Sequence, residues 1–194
     1  MLQIILIRPG STDYDQEARI QGSLDVPLNE LGSNEVAAVI EQLYERRIEA
    51  VYAPASQPSE QSGRAIAKAL GVKFRKMERM QNLNQGLWQG MLVGEVRRKQ
   101  PKVYKQWQEQ PENVCPPEGE MISDAAGRVR TAMTKLLRRH KQGTIAVVVP
   151  EPLASLVRHF FLHGELGDLW KMNNGRGRWE VLDVEPKEVL QNGG

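Results

Sequence analysis

The chain has 194 residues, 40% of them hydrophobic and 26% charged, enough to build a sizeable apolar core. Its formal net charge is only +2, with both signs scattered, so it lacks the concentrated basic stripe of a nucleic-acid binder. Cys115 is the one cysteine, which excludes an internal disulfide and points to a reducing, cytoplasmic setting, and no apolar run approaches a membrane span.

Met1 to Ile7 reads Met-Leu-Gln-Ile-Ile-Leu-Ile, too short for a signal-peptide core and without a basic leader, and residues 2–7 are predicted as a buried first strand. A polar loop over 8–28 follows. Val36, Ala37, Ile40 and Leu43-Tyr44 recur at helical spacing and predict a helix over 29–47, capped by Asn29 or Ser33. Residues 48–52 fit a second strand. Residues 59–70 fit a helix closed by Gly71 in the left-handed cap position, and 72–74 a third short strand. The stretch 77–120 is polar and rich in Gln and Pro. It is read as a helical excursion covering one end of the sheet, with Trp88, Tyr104 and Trp107 as its core.

A long helix is predicted over 122–141, with Ala125, Val129, Met133 and Leu136-Leu137 facing inward. Its charged end, Arg138-Arg139-His140-Lys141, and the run Arg97-Arg98-Lys99 are read as solvated helix surface. Residues 144–149 form the clearest strand: a continuous apolar run with three consecutive valines fits burial on both faces. A helix over 152–162 tolerates Pro152 in its first turn, 179–184 is the last strand, and 185–194 reads as a tail. Short apolar strands alternating with amphipathic helices predict an α/β fold. The expected organisation is one domain over 1–184, with the 77–120 excursion inside it.

In open α/β sheets, ligands bind beyond the carboxyl ends of the strands. Two turns lie there, Arg8-Pro9-Gly10 after the first strand and Pro150-Glu151-Pro152 after the valine strand. Around them run Leu6-Ile7-Arg8-Pro9-Gly10 with Thr12, then Arg19-Ile20-Gln21-Gly22 with Asp25, Pro27-Leu28 and Gly32. Further on come Gly86-Leu87-Trp88-Gln89-Gly90, Trp107 with Pro111, Gly119-Glu120 and Arg128-Val129. In this order and spacing they resemble the framework of the histidine phosphatase superfamily, in its phosphoglycerate mutase-like branch. The resemblance implies a three-layer sandwich, a mostly parallel sheet with helices on both faces. It also implies a phosphoryl-transfer site made of a nucleophilic histidine, two arginines, a second histidine and a glutamate.

The reactive positions depart from that pattern. Pro9 stands at the nucleophile, Pro58 at the second arginine, Pro150 at the second histidine, and Asn82 at the glutamate, with the neighbouring Gln85 also neutral. Proline can neither attack nor carry charge, and it lacks an N–H. Arg8, Arg19 and Gln21 are left as a vestigial anion-binding set. Asp15 and Glu151 add negative charge, Glu151 where the family has glycine. Arg8 is otherwise read as a scaffold residue pairing with Asp13 or Asp15, and Arg19 as a loop brace. His159 and His163, four apart, have no evident third ligand, so no metal or cofactor is expected.

Three readings follow. The first is a catalytically inactive pseudoenzyme whose former cleft serves a protein or small-molecule partner, with a homodimer as one assembly. The second is a phosphatase or mutase-type enzyme with atypical residues, drawn from His140, His159, His163 or Cys115. The third is a sensor that binds a phosphorylated metabolite through Arg8 and Arg19 without turning it over.

Overall fold

The computed structural model describes residues 1–163, 166 and 178–192. Five strands form one sheet: β1 (Leu2–Ile7), β2 (Ala50–Pro54), β3 (Lys73–Met77), β4 (Gly143–Val148) and β5 (Trp179–Val184), in the order β3-β2-β4-β1-β5. All neighbours run parallel except β1 and β5, which pair antiparallel with Ile7 opposite Trp179.

Period-two alternation divides the strand side chains between two cores. Leu2, Ile4 and Leu6 of β1, with Tyr52, Ile145 and Val147, pack into one. Ile5 and Ile7, with Val51, Ala53, Ala146 and Val148, pack into the other. The second core is covered by α2 (Glu30–Leu43) and α3 (Gln57–Leu70) through Val36, Val39, Leu43 and Ile66. Three layers result, with helices on both faces, as the resemblance implies.

Local signals explain most of the helix boundaries. Thr12 and Asp15 cap each other reciprocally and start a one-turn helix, α1 (Asp13–Gln16), inside the segment read as loop. Asn29 caps α2 by accepting from Gly32 N at 2.8 Å. Pro58 lies in the first turn of α3, where a missing N–H has no helical partner to lose. Gly71 ends that helix at φ 68°, the left-handed conformation that glycine adopts without strain.

On the other face, α6 (Ile122–Arg139) and α7 (Leu153–Leu162) join the excursion, which contains α4 (Val93–Lys99) and α5 (Pro101–Glu109). Trp88 and Trp107 are buried and meet edge to face at 5.9 Å, so they are core. The excursion is stitched to the loop after β1: Ile20 N donates to Met91 O, and Gly90 N to Ile20 O.

Several boundaries differ from the sequence reading: α2 ends at Leu43, not 47, α3 begins at Gln57, not 59, and β4 spans Gly143–Val148, not 144–149, and three further differences have a visible cause. β2 begins at Ala50, not 48, because Glu49 N first has to turn onto Thr144 O. β3 extends to Met77 through Arg75 and Lys76, since an edge strand tolerates charged side chains. The segment read as a tail carries α8 (Pro186–Asn192), whose Val189 and Leu190 pack against the first core. Two apolar residues one apart gave too weak a helical period to announce it.

Candidate functional site

A cavity of about 370 Å³ opens at the carboxyl ends of β1 and β4. Pro9, Pro58, Asn82 and Pro150 all line it, and so do Arg8, Arg19 and Gln21. Four separate stretches of chain therefore converge where the motif spacing placed the family's reactive groups. His140, His159, His163 and Cys115 are not among the lining residues.

The turn after β1 is held from three directions. Gly10 N donates to Ser62 Oγ at 3.0 Å, and Ser62 Oγ donates to Pro58 O at 2.7 Å, so the turn is tied to the start of α3. Ser11 N donates to Glu35 Oε2 at 2.8 Å. Arg178 enters from the head of β5, donating to Pro9 O and Ser11 Oγ, each at 2.9 Å, and pairing with Glu35. Gly10 and Gly32 pass so closely that a Cβ on Gly10 would lie 2.2 Å from Gly32 O. The backbone of α2 thus buttresses the turn directly.

The turn after β4 is also closed on itself. The Glu151 carboxylate accepts from Ser155 N at 3.0 Å and Ser155 Oγ at 2.8 Å, acting as an internal anion at the start of α7. Arg158 lies 3.8 Å from it and binds Glu180 at 2.7 Å. Asn82 Nδ2 donates to Glu151 O at 3.0 Å, while its Oδ1 accepts from Leu83 N. Asn82 is thereby a strut between the excursion and this turn.

Arg8 sits between the two turns, half-buried. Burial pulls its guanidinium below the ordinary arginine value, Glu151 raises it, Arg178 and Arg158 lower it further, and Glu180 raises it. It remains a cation at neutral pH. Glu151 and Glu180 are carboxylates that act on it. Asp15 is engaged by Thr12 N and Oγ1 at 2.7 and 2.9 Å, and Asp13 accepts from Asn29.

Arg19 braces the loop: it binds Glu17, which raises its pKa, and donates to Gly90 O at 2.8 Å. Gln21 Oε1 accepts from Thr12 Oγ1 at 3.0 Å. The three residues read as a vestigial anion set share the cavity, and each also belongs to the wall. Glu35, Arg158, Arg178 and Ser62 were not singled out in the sequence. Only the register of β5 against β1, with Arg8 N donating to Arg178 O at 2.9 Å, brings Arg178 to the turn.

Gln85 differs from these. It lines the cavity at 1% exposure, and its Oε1 has no hydrogen-bond partner among the described residues.

With this geometry, comparisons with known proteins are consistent. The profile of the histidine phosphatase superfamily (branch 1) matches residues 4–191. The chain is 25% identical to phosphoserine phosphatase 1 of Hydrogenobacter thermophilus, over 96% of this chain and 89% of that protein. It is 30% identical to phosphoglycerate mutase-like protein 4 of Arabidopsis thaliana, over 75% of this chain and 65% of that one. Other curated relatives are longer still, and the chain spans 47% of a bifunctional protein of Mycobacterium tuberculosis. The solved structure of Bacillus stearothermophilus YhfR superposes with a TM-score of 0.83 at 22% identity, covering 95% of this chain and 92% of that one, a likeness of fold. The profile match spans nearly the whole chain, and its framework motifs surround one cavity at the strand ends: the chain belongs to the histidine phosphatase superfamily, branch 1.

Proposed function

We propose that this chain is a catalytically inactive member of its superfamily, a binding or regulatory protein that uses the former cleft to hold a protein or small-molecule partner. The observation that carries this reading is proline at both histidine positions, Pro9 and Pro150, each lining the cavity. Neither residue can form a phosphoryl intermediate or donate a proton. Losing a nucleophile alone costs on the order of 10⁶ in rate where comparable groups have been removed. The charges at the cavity also support it. Glu35 and Glu151 are held by Arg178 and by the start of α7, so the described residues of the wall do not present an unopposed positive site for phosphate.

A second reading keeps phosphatase or mutase activity with atypical residues. The names of the relatives favour it, phosphoserine phosphatase and phosphoglycerate mutase-like protein among them. The residues favour the first, because His140, His159, His163 and Cys115 are not among those lining the cavity. A sensor of a phosphorylated metabolite would rest on Arg8 and Arg19 alone, both already engaged in the wall.

The deciding experiment is hydrolysis of a generic aryl phosphate by the purified chain, with a parallel assay for phosphohistidine. The expected result is no turnover above the no-protein background and no phosphohistidine. Turnover that copurifies with the protein and disappears on His159→Ala or His163→Ala establishes the second reading instead.

A further inference from the structure

The two edges of the sheet carry opposite charge. β5 bears Glu180 and Asp183, which are held within the chain by Arg158 and Gln3. β3 forms the other edge and pairs with β2 alone among the described strands, so one side of its backbone has no strand beside it. Its sequence, Lys-Phe-Arg-Lys-Met, exposes Lys73, Arg75 and Lys76. Strand alternation sorts these side chains. Phe74 and Lys76 lie on the α3 side, where Arg64 stacks on the Phe74 ring at 4.6 Å and Lys76 pairs with Glu60 at 3.1 Å. Lys73 and Arg75 lie on the opposite side with Met77, which packs against the first core.

On that side the end of α6 adds further positive charge. Arg75 is beside Tyr52 in register, and the Tyr52 hydroxyl meets His140 Nε2 at 2.7 Å, one residue past the helix. Burial lowers the His140 pKa, Glu49 opposes, and Arg139 and Arg75 lower it further, so both arginines stand near the ring. Lys73, Arg75 and Arg139 form no ion pair with any described residue, while Glu60 and Glu78 are engaged by Arg64 and Lys76 and by Lys135. Cations brought together from two elements, with Glu49 as the carboxylate acting there, repel one another until an anion is placed among them.

Basic residues on an edge strand guard against pairing with a like copy, since Arg75 opposite Arg75 is unfavourable. The same charges favour a strand of opposite sign. An unpaired edge presents N–H and C=O groups in alternation, which a polypeptide backbone matches and a lipid surface or a nucleic acid does not. We propose that the outer edge of β3 docks an extended acidic segment of a partner protein, added as a further strand with alternate carboxylates against Lys73, Arg75 and Arg139. Residues between the carboxylates then lie on the Phe74 side, so an acidic residue at every second position suits the edge best. Lys73, Arg75 and Arg139 do not line the cavity, and docking here is independent of any chemistry there.

The test is fluorescence anisotropy with a labelled, end-blocked peptide alternating glutamate and valine. It is compared with a peptide of the same composition in blocks, one with lysine for glutamate, phosphatidylglycerol vesicles and a single-stranded oligonucleotide. The variant is Lys73→Glu with Arg75→Glu, both exposed, with its fold checked by thermal unfolding. The alternating acidic peptide is expected to bind the parent chain, and the double reversal to weaken it about tenfold and to take up the lysine peptide instead. Should the reversal unfold the chain, Lys73→Gln with Arg75→Gln is expected to weaken binding in the same direction. In the bound chain, β3 amides should exchange more slowly, and the NMR-titrated pKa of His140 should rise as carboxylates offset Arg75 and Arg139. No binding, equal binding of the block peptide, indifference to the substitutions, or an unmoved His140 overturns the proposal. So does tighter binding of the vesicles or the oligonucleotide, or self-association of the parent chain that the reversal abolishes.

Discussion

The two strand-end turns and the excursion segment around Gln85 face one another across the same cavity, yet they treat polar groups differently. In the turns, Pro9 O, Gly10 N, Ser11 N and the Glu151 carboxylate are each answered from within the chain, through Arg178, Ser62, Glu35 and Ser155. On the excursion, Asn82 is answered, while the buried Oε1 of Gln85, three residues on, has no partner among the described residues. The contrast teaches that replacing reactive residues is not the same as closing a site. The turns are tied into the fold by hydrogen bonds from within the chain.

If the turns are structural, breaking their packing should be felt most in stability. Gly32→Ala would put a Cβ 2.1 Å from Ser11 O, a clash with backbone that no side-chain rotation relieves. A loss of about 3 kcal/mol is expected in urea unfolding. A loss under about 1 kcal/mol would show that the turn and α2 can part freely.

The clamp from β5 comes next. Arg178→Met leaves Pro9 O, Ser11 Oγ and the Glu35 carboxylate short of a donor. About 2 kcal/mol is expected, below the value for a fully buried pair because the two side chains are 34% and 22% exposed. A double-mutant cycle with Glu35→Gln should show coupling. Strict additivity would remove the ion pair from the account of this turn.

At the other turn, Ser155→Ala removes one of the two donors to Glu151 and should lower stability by about 1 kcal/mol, read by thermal unfolding. A smaller, pH-dependent change serves as a control away from the lining residues. His140 Nε2 lies 2.7 Å from the Tyr52 hydroxyl, and burial lowers its pKa below 6.5, with Glu49 opposing and Arg139 and Arg75 assisting. The folded state resists protonation, so this contribution is complete above 6.5 and is lost as pH falls through the lowered folded value. Melting temperatures between about pH 7 and about pH 5 should fall less steeply for His140→Gln than for the parent chain. Parallel curves would show that another group sets the acid slope.

The smallest expected change is in activity. Pro9→His with Pro150→His restores both histidine types, but Pro58 and Asn82 remain, and Glu151 still fills the start of α7. Groups that act as a unit are strongly non-additive, so aryl phosphate hydrolysis should stay at background. Robust turnover by this double variant would show that the cavity still clamps phosphate, and would erase the contrast between a closed turn and an open wall.

The parts of this protein legible in its sequence are those encoded by neighbours along the chain. Leu2–Ile7 and Trp179–Val184 emerged with the bounds predicted, Asn29 and Gly71 cap the helices they were assigned to, and Pro58 opens one. Each depends on a residue's own backbone preference or on a spacing of two to four. The framework motifs carried the three-layer fold because their order and separations reflect the whole chain.

Tertiary structure alone decided how the cavity wall is completed. Arg178 reaches Pro9 across 169 positions, Asn82 reaches Glu151 across 69, and Ser62 reaches Gly10 across 52. Nothing local marks these residues: an arginine before a strand or a serine inside a helix is ordinary until strand register and helix packing choose its partner. The same holds for Gln85, a neutral residue beside Asn82 in the sequence. Its difference is that no described residue donates to its Oε1, a feature decided in space and not along the chain.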